Sequence, residues 1–235
     1  MKLSITILIT SCIVAFVCFI SCTKESSNPV TRQFEITGFN KLIASDDHEI
    51  IITKGASFSV QAKGSSADVE DLRMIVNGET LKIDYPYYNG NRKRVDILIT
   101  MPSLSVAEFG GAAYGTISGF QQQVNFTLYL SGNSKFDVSC TSALIDANVS
   151  GTSKLTLRGS AASLVANISG QGVLEGSGMS GTYNSIIKTS GQANATFNAG
   201  KVLTADASGQ SRIFYKGHPE AKNITEREMA KVISQ

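Results

Sequence analysis

The chain has 235 residues, with 21 Lys and Arg against 19 Asp and Glu and a formal net charge of +2 at neutral pH. Such an even balance carries no sign asymmetry and argues against a nucleic-acid partner. Its length suits one large or two small domains, and only four of its residues are cysteine.

Lys2 gives the N-terminus a positive start, and residues 3–20 are apolar apart from Ser, Thr and Cys. The stretch approaches the length of a membrane span. A basic start, an apolar centre and a small residue at the exit fit a signal peptide over residues 1–21 better than a retained anchor. Phe19-Ile20-Ser21-Cys22 resembles a bacterial lipobox, with Phe19 in the place usually held by Leu. Cys22 is then the lipid-attachment residue, and the membrane is a partner through that lipid. Plain secretion and a retained anchor are the alternatives. Cys22-Thr23-Lys24-Glu25 also looks like the Lys-acidic export signals of Bacteroidetes surface lipoproteins. An outer-membrane lipoprotein is expected, with periplasmic and surface orientations both open. Cys12 and Cys18 leave with the signal, so Cys140 is a lone cysteine in an apolar column and is expected to be a small core residue.

Residues 22–32 have the composition of a flexible, lipidated tether. Residues 33–104 form an N-terminal region of irregular strands. Ile43 is expected to start one side of a hairpin, Glu49 to Thr53 is a short apolar run, and Lys54-Gly55-Ala56 turns the chain into Phe58 to Ala62, which alternates as a half-buried strand. Asp68 to Met74 allows a helical turn. Asn77-Gly78 signals a hairpin between residues 73–76 and 80–84. A loop follows over residues 86–91, then a strand over 95–100.

From residue 105 to 217 a repeat takes over. Ser-Gly or Gly-Gly pairs place Gly111, Gly132, Gly151, Gly170, Gly191 and Gly209 at spacings of 21, 19, 19, 21 and 18 residues. Four positions before these glycines stand Ala107, Leu128, Ala147, Ala166, Ile187 and Ala205; four after stand Gly115, Phe136, Leu155, Leu174, Ala195 and Ile213. Three before stand Glu108, Tyr129, Asn148, Asn167, Lys188 and Asp206. Apolar and polar columns alternate with period two on both sides of the glycine, the mark of two strands per repeat with one face each in the core. A second glycine column, Gly119, Gly159, Gly178, Gly200 and Gly217, supports the same division.

One such unit cannot bury its apolar face alone, whereas stacked units share a continuous core. The expected fold is all-β: a parallel β-solenoid, or β-helix, of about five to six two-stranded rungs. Irregular N-terminal strands are expected to cap one end. An up-and-down antiparallel sheet competes, but its columns would match only in reversed order. Residues 218–235 are read as a cap or tail, with His218-Pro219 stopping the pattern and Thr225 to Glu228 opening a short helix through a capping box.

Three segments, Phe39 to Ile43, Leu72 to Ile83 and Val95 to Leu104, together with the Ser-Gly repeats, resemble the putative auto-transporter adhesin head domain family, called GIN. The resemblance spans about residues 34–217. It implies a β-solenoid in the cell envelope and supplies no catalytic residues.

No catalytic motif stands out. Asp46-Asp47-His48-Glu49 is the densest group of metal-ligand types, but neighbours on an extended chain point to opposite faces, so a solvated turn is expected and no metal or cofactor. Tyr85, Tyr87 and Tyr88 beside Arg92, Lys93 and Arg94 form a candidate contact for acidic sugars or lipid headgroups, against the plainer reading of a basic loop. Asn148 and Asn167 are expected to form a hydrogen-bonding ladder between rungs. The expected function is a non-catalytic envelope module that presents its β surface to a glycan or protein ligand. The alternative is a carbohydrate-active enzyme such as a polysaccharide lyase, which three or more charged groups converging in a groove would favour.

Overall fold

The computed structural model describes residues 28–87 and 90–235. The signal segment, Cys22 and Tyr88 lie outside the described residues. The strands are β1 (Val30–Phe34), β2 (Lys41–Ala44), β3 (His48–Lys54), β4 (Ser59–Gly64), β5 (Arg73–Asn77), β6 (Thr80–Asp84), β7 (Val95–Met101), β8 (Val106–Phe109), β9 (Tyr114–Leu130), β10 (Lys135–Val149), β11 (Lys154–Ile168), β12 (Val173–Ser180), β13 (Asn184–Thr189), β14 (Asn194–Asn198), β15 (Val202–Ala207), β16 (Arg212–Lys216), β17 (Ala221–Glu226) and β18 (Lys231–Ser234). One short helix, α1 (Ser66–Asp71), lies between β4 and β5.

These strands wind into a parallel solenoid with two sheets facing each other. The front sheet runs β6, β2, β8, then the second halves of β9, β10 and β11, then β13, β15 and β17, all parallel. The back sheet runs β7, β3, the first halves of β9, β10 and β11, then β12, β14, β16 and β18. Three strands, β9, β10 and β11, are long enough to bend from one sheet into the other. Gly159 sits at such a bend with φ 109; a Cβ there would lie 2.0 Å from the Cys140 carbonyl oxygen.

The inward columns are the core. Leu128, Ala147, Ala166 and Ile187 on the front sheet are fully buried, as are Leu155, Leu174, Ala195 and Ile213 on the back. Alternation with period two makes this possible, because every second side chain of a strand shares a face. Phe109 and Phe136 stack with ring centres 3.7 Å apart. Cys140 is a free, buried cysteine, and burial pushes its thiol up to about 11.

From Asp46 onward each rung turns from front to back at a residue in the left-handed region. Gly132 has φ 72, and a Cβ there would lie 2.6 Å from the Gly111 carbonyl oxygen; at Gly151 (φ 69) the distance to the Gly132 oxygen would be 2.4 Å. Glycine is required twice over at these corners, for the dihedral and for the approach of the neighbouring backbone.

The solenoid has about seven turns where the glycine spacing alone gives five to six. The column of left-handed corners continues past the glycines, to Asp46 (φ 78) before Gly111 and Glu228 (φ 60) after Gly209. Of the two non-glycine corners, Asp46 stands where stacking is relaxed. Ahead of Asp46 the connection from β6 to β7 is a wide loop, not a tight corner, which leaves room for the Asp46 side chain. At Glu228 the stacking continues: Met229 N–H donates to the Gly209 oxygen at 3.0 Å, as Ala112 N–H does to the Asp46 oxygen at the Gly111 corner.

Two expectations about connections are corrected. Ile43 opens no hairpin: β2 pairs parallel with β6 and β8, while β4, reached through the turn after β3, pairs antiparallel with β7 and with β1. His218-Pro219 does not stop the pattern and Thr225 to Glu228 opens no helix: β17 and β18 complete another rung in register with β15 and β16. Asn77-Gly78 does turn the antiparallel hairpin of β5 and β6. The N-terminal end is therefore closed by antiparallel strands and by α1, whose Ser65 cap accepts from Asp68 N–H and whose Val69 is buried.

Candidate functional site

The outward positions flanking each front-sheet corner make a furrow enclosing about 520 Å³. One wall is the column three residues before the corner, paired rung to rung as Glu108, Tyr129, Asn148, Asn167, Lys188 and Asp206. The other wall is the residue just before the corner: Ser131, Ser150, Ser169, Ser190 and Ser208, then Arg227 in the last turn. The floor is the backbone of the inward position between them. With rungs about 4.8 Å apart, six of them set a length of about 25 Å.

The furrow is preorganised by its own contacts. Asn167 Nδ2 donates to Asn148 Oδ1 at 3.1 Å, and Asn148 Nδ2 donates to Asp146 Oδ1 at 3.1 Å, so the expected ladder is present. Ser150 Oγ donates to the Leu130 carbonyl at 3.3 Å and Ser208 Oγ to that of Thr189 at 3.4 Å. The bond fixes each hydroxyl while its remaining lone pair stays free to accept. Tyr129 keeps 43% of its surface exposed and offers a ring face. At the far end Arg227 holds Asp206 through two bonds, of 2.5 and 3.0 Å. That pairing raises the Arg227 guanidinium above its ordinary value. Glu108 and Asp206 against Lys188 and Arg227 leave the furrow with no net charge.

The serine wall and Arg227 were not legible as a site. Each serine reads as half of a turn-forming Ser-Gly pair, and Arg227 takes the serine place only because the stack runs one rung further than the glycines.

The aromatic and basic candidates of the N-terminal region lie elsewhere, around a second cavity of about 420 Å³ lined by Asp46, Asp47, Tyr85, Tyr87, Arg92 and Lys93 among others. It opens where the wide loop replaces a corner. Arg92 stacks its guanidinium 3.8 Å above the Tyr85 ring and donates to Asp71 at 3.0 Å and to the Tyr87 carbonyl at 3.1 Å. Arg94 donates to Asp47 at 2.8 Å and to the Tyr114 hydroxyl at 3.2 Å. The chain's own carboxylates therefore answer both arginines. Lys93 N–H donates to Asp68. Tyr87 is largely exposed at the rim.

His48 is not part of the exposed turn formed by Asp46 and Asp47. It is fully buried against Tyr85, with ring centres 5.4 Å apart, and neither ring nitrogen makes a well-formed hydrogen bond. Burial lowers its pKa from the ordinary 6.5, a loss that Asp46 and Asp47 only partly offset. Burial likewise pushes the Tyr85 hydroxyl up to about 12. Glu49 accepts from the Tyr114 hydroxyl at 2.7 Å, so this run of ligand-type residues is dispersed to different environments. Among the described residues no group of three or more His, Cys, Asp or Glu is placed to hold a metal ion. No helix among them is long and apolar enough to cross a membrane.

A third hollow, of about 580 Å³, lies on the back sheet, where Lys154 and Glu175 pair at 2.8 Å beside Asp137 and Arg158. It has no serine wall, because the second wall of the furrow depends on the corners.

Comparison with known proteins matches residues 38–219 to a family described as putative auto-transporter adhesin, head GIN domain. Among solved structures, a putative adhesin from Bacteroides fragilis superposes with a TM-score of 0.80 at 22% identity, covering 89% of this chain and 98% of that one. A putative lipid binding protein from Parabacteroides distasonis gives 0.68 at 15% identity over 89% and 98%. A putative adhesin from Parabacteroides merdae gives 0.67 at 14% over 88% and 96%. At these identities the likeness is one of fold. No curated protein matches the chain.

Proposed function

Since the chain belongs to the putative auto-transporter adhesin, head GIN domain family, we propose that it is a non-catalytic, adhesin-like envelope module that binds a glycan chain along the front-sheet furrow. The supporting observation is the furrow itself: a long, charge-neutral trough with fixed amide and hydroxyl groups and one exposed tyrosine ring. Sugar hydroxyls need donors and acceptors in fixed positions, and a pyranose face packs on an aromatic ring. Uncharged or zwitterionic glycans suit a trough with balanced charge. Tyr87 at the rim of the N-terminal cavity is a proposed secondary contact. Lipid attachment at Cys22 would hold the module to the outer membrane, with residues 22–32 as its tether.

The test is a glycan array followed by titration calorimetry on the purified chain. Tyr129→Ala combined with Asn167→Ala should weaken binding of any glycan hit at least tenfold while leaving the fold intact by circular dichroism. Binding that survives this double change would move the site off the furrow.

One observation favours a carbohydrate-active enzyme as the second reading. Lys188, Asp206 and Arg227 converge at the end of the furrow, the arrangement an enzyme would call for. Both Asp206 oxygens are engaged by Arg227, so a substrate would have to displace that pair before the carboxylate could act. Release of unsaturated or newly reducing ends from a polysaccharide, abolished by Asp206→Asn, would establish this reading over binding alone.

A further inference from the structure

We propose that two copies of this chain join end to end, through an antiparallel pairing of β17 with β17 of a second copy. The two ends of the solenoid differ. At the N-terminal end β5 covers β6, β4 covers β7 and β1 covers β4, so the edges there are antiparallel add-on strands and not the stacked sheets themselves. At the other end, among the described residues, β17 pairs only with β15 and β18 only with β16. An uncovered strand presents a row of N–H and C=O groups ready to pair with another chain.

The backbone parity shows which groups are free. Ala221 N–H and Arg227 N–H donate to the carbonyls of Lys201 and Ala207, on the covered side of the strand. In a parallel ladder alternate residues face the same neighbour. Lys222, Ile224 and Glu226 therefore turn both their N–H and C=O groups to the open edge. Ile224 is 41% exposed there.

Those three residues are self-complementary about Ile224. With a two-fold axis through it, Ile224 meets its own copy, Lys222 meets the partner's Glu226, and Glu226 meets the partner's Lys222. All three are pairs of the kind that exchange both backbone hydrogen bonds, and the two charge pairs attract. Other registers are disfavoured. A two-residue slip one way sets Glu220 against the partner's Glu226. The opposite slip needs Glu228, which stands at the left-handed corner with φ 60 and cannot extend the ladder. Glu226 meanwhile accepts from Val232 N–H at 2.6 Å and from Lys231 at 3.4 Å. It covers the neighbouring edge in the single chain and exchanges those bonds for the partner's Lys222 on pairing. A C2 arrangement of this kind closes on itself and stops at two copies.

The test is sedimentation equilibrium of the purified chain over a concentration series. The wild type should be a dimer. Lys222→Glu and Glu226→Lys should each raise the dissociation constant at least tenfold, by setting like charges together. An equimolar mixture of the two variants should restore association, because each then supplies the charge the other lacks. Ile224→Pro should also give monomers without disturbing the β15 ladder, since its N–H is unused within the chain. A wild type that stays monomeric at every concentration overturns the proposal. So does a dimer indifferent to all three changes, or a mixture that fails to recover.

Discussion

Between Gly111 and Gly209 the rungs are joined by backbone: one glycine corner sits on the next, and strand pairs with strand at matched columns. Ahead of Asp46 the strands still pair, but the connection between the two sheets is held by side chains instead. Arg92 bridges Asp71 and Tyr85, Arg94 bridges Asp47 and Tyr114, and the buried His48 fills the space beside Tyr85. The difference is one of tolerance. A backbone-built stack accepts almost any outward residue, which frees its surface to carry a ligand, but it accepts no Cβ at a corner. A side-chain-built end accepts Cβ atoms at its turns and depends on particular charges and rings.

The largest effect that would break this contrast comes from the turns. Gly151→Val should destabilise by about 4 kcal/mol or more, combining a left-handed dihedral with a backbone contact that cannot give. Gly38→Ala, also at positive φ (79) but with open space around its Cβ position, should cost only about 1–2 kcal/mol. Equal losses in urea denaturation would erase the distinction. Next in size, Arg92→Ala should cost about 1–3 kcal/mol through the lost stacking and pairing of a nearly buried guanidinium. Lys154→Ala, which removes an exposed ion pair with Glu175 in the stack, should cost about 0–1 kcal/mol.

His48 should make the N-terminal end acid-sensitive. Its folded pKa lies below the unfolded value of 6.5, so the unfolded chain takes up the proton more readily. The stability from the neutral, buried ring is full above about pH 6.5 and falls as the pH drops below it. Thermal unfolding should show this slope between pH 6.5 and 5, and His48→Leu should flatten it. A slope unchanged by the substitution would assign it to other groups. Asn167→Ala should cost about 0.5–1 kcal/mol in the same urea assay and should also weaken glycan binding in calorimetry.

The regular stack was legible because its period is written in glycine, and glycine is required wherever two corners touch. The glycine count falls short at Asp46 because a left-handed corner with no tight corner before it does not need glycine; at Glu228, which sits on Gly209, no residue type marks the corner. The partner of β4 is not written in its own residues, because local turn chemistry speaks only of neighbours in sequence. Its actual mate β7 is decided by which core edge remains uncovered. β17 does not read as a strand because its inward positions are Lys222, Ile224 and Glu226, so the alternation that marks the strands between Gly132 and Gly209 is missing there. Of the furrow, the asparagine ladder could be read from one column. The serine wall could not, since hydroxyls placed beside glycine look like punctuation.

The corners also have a direction. A Cβ at each of Gly132, Gly151, Gly170, Gly191 and Gly209 would strike the rung before it and not the rung after. A rung duplicated within the stack arrives with its own glycine and lands on a corner already shaped to receive it. A new tight-cornered rung inserted just ahead of Asp46 would require a second, simultaneous change at Asp46 itself. Tandem duplication can therefore lengthen the furrow in whole-rung steps from the interior, while the N-terminal end stays as a fixed boundary that such growth leaves untouched.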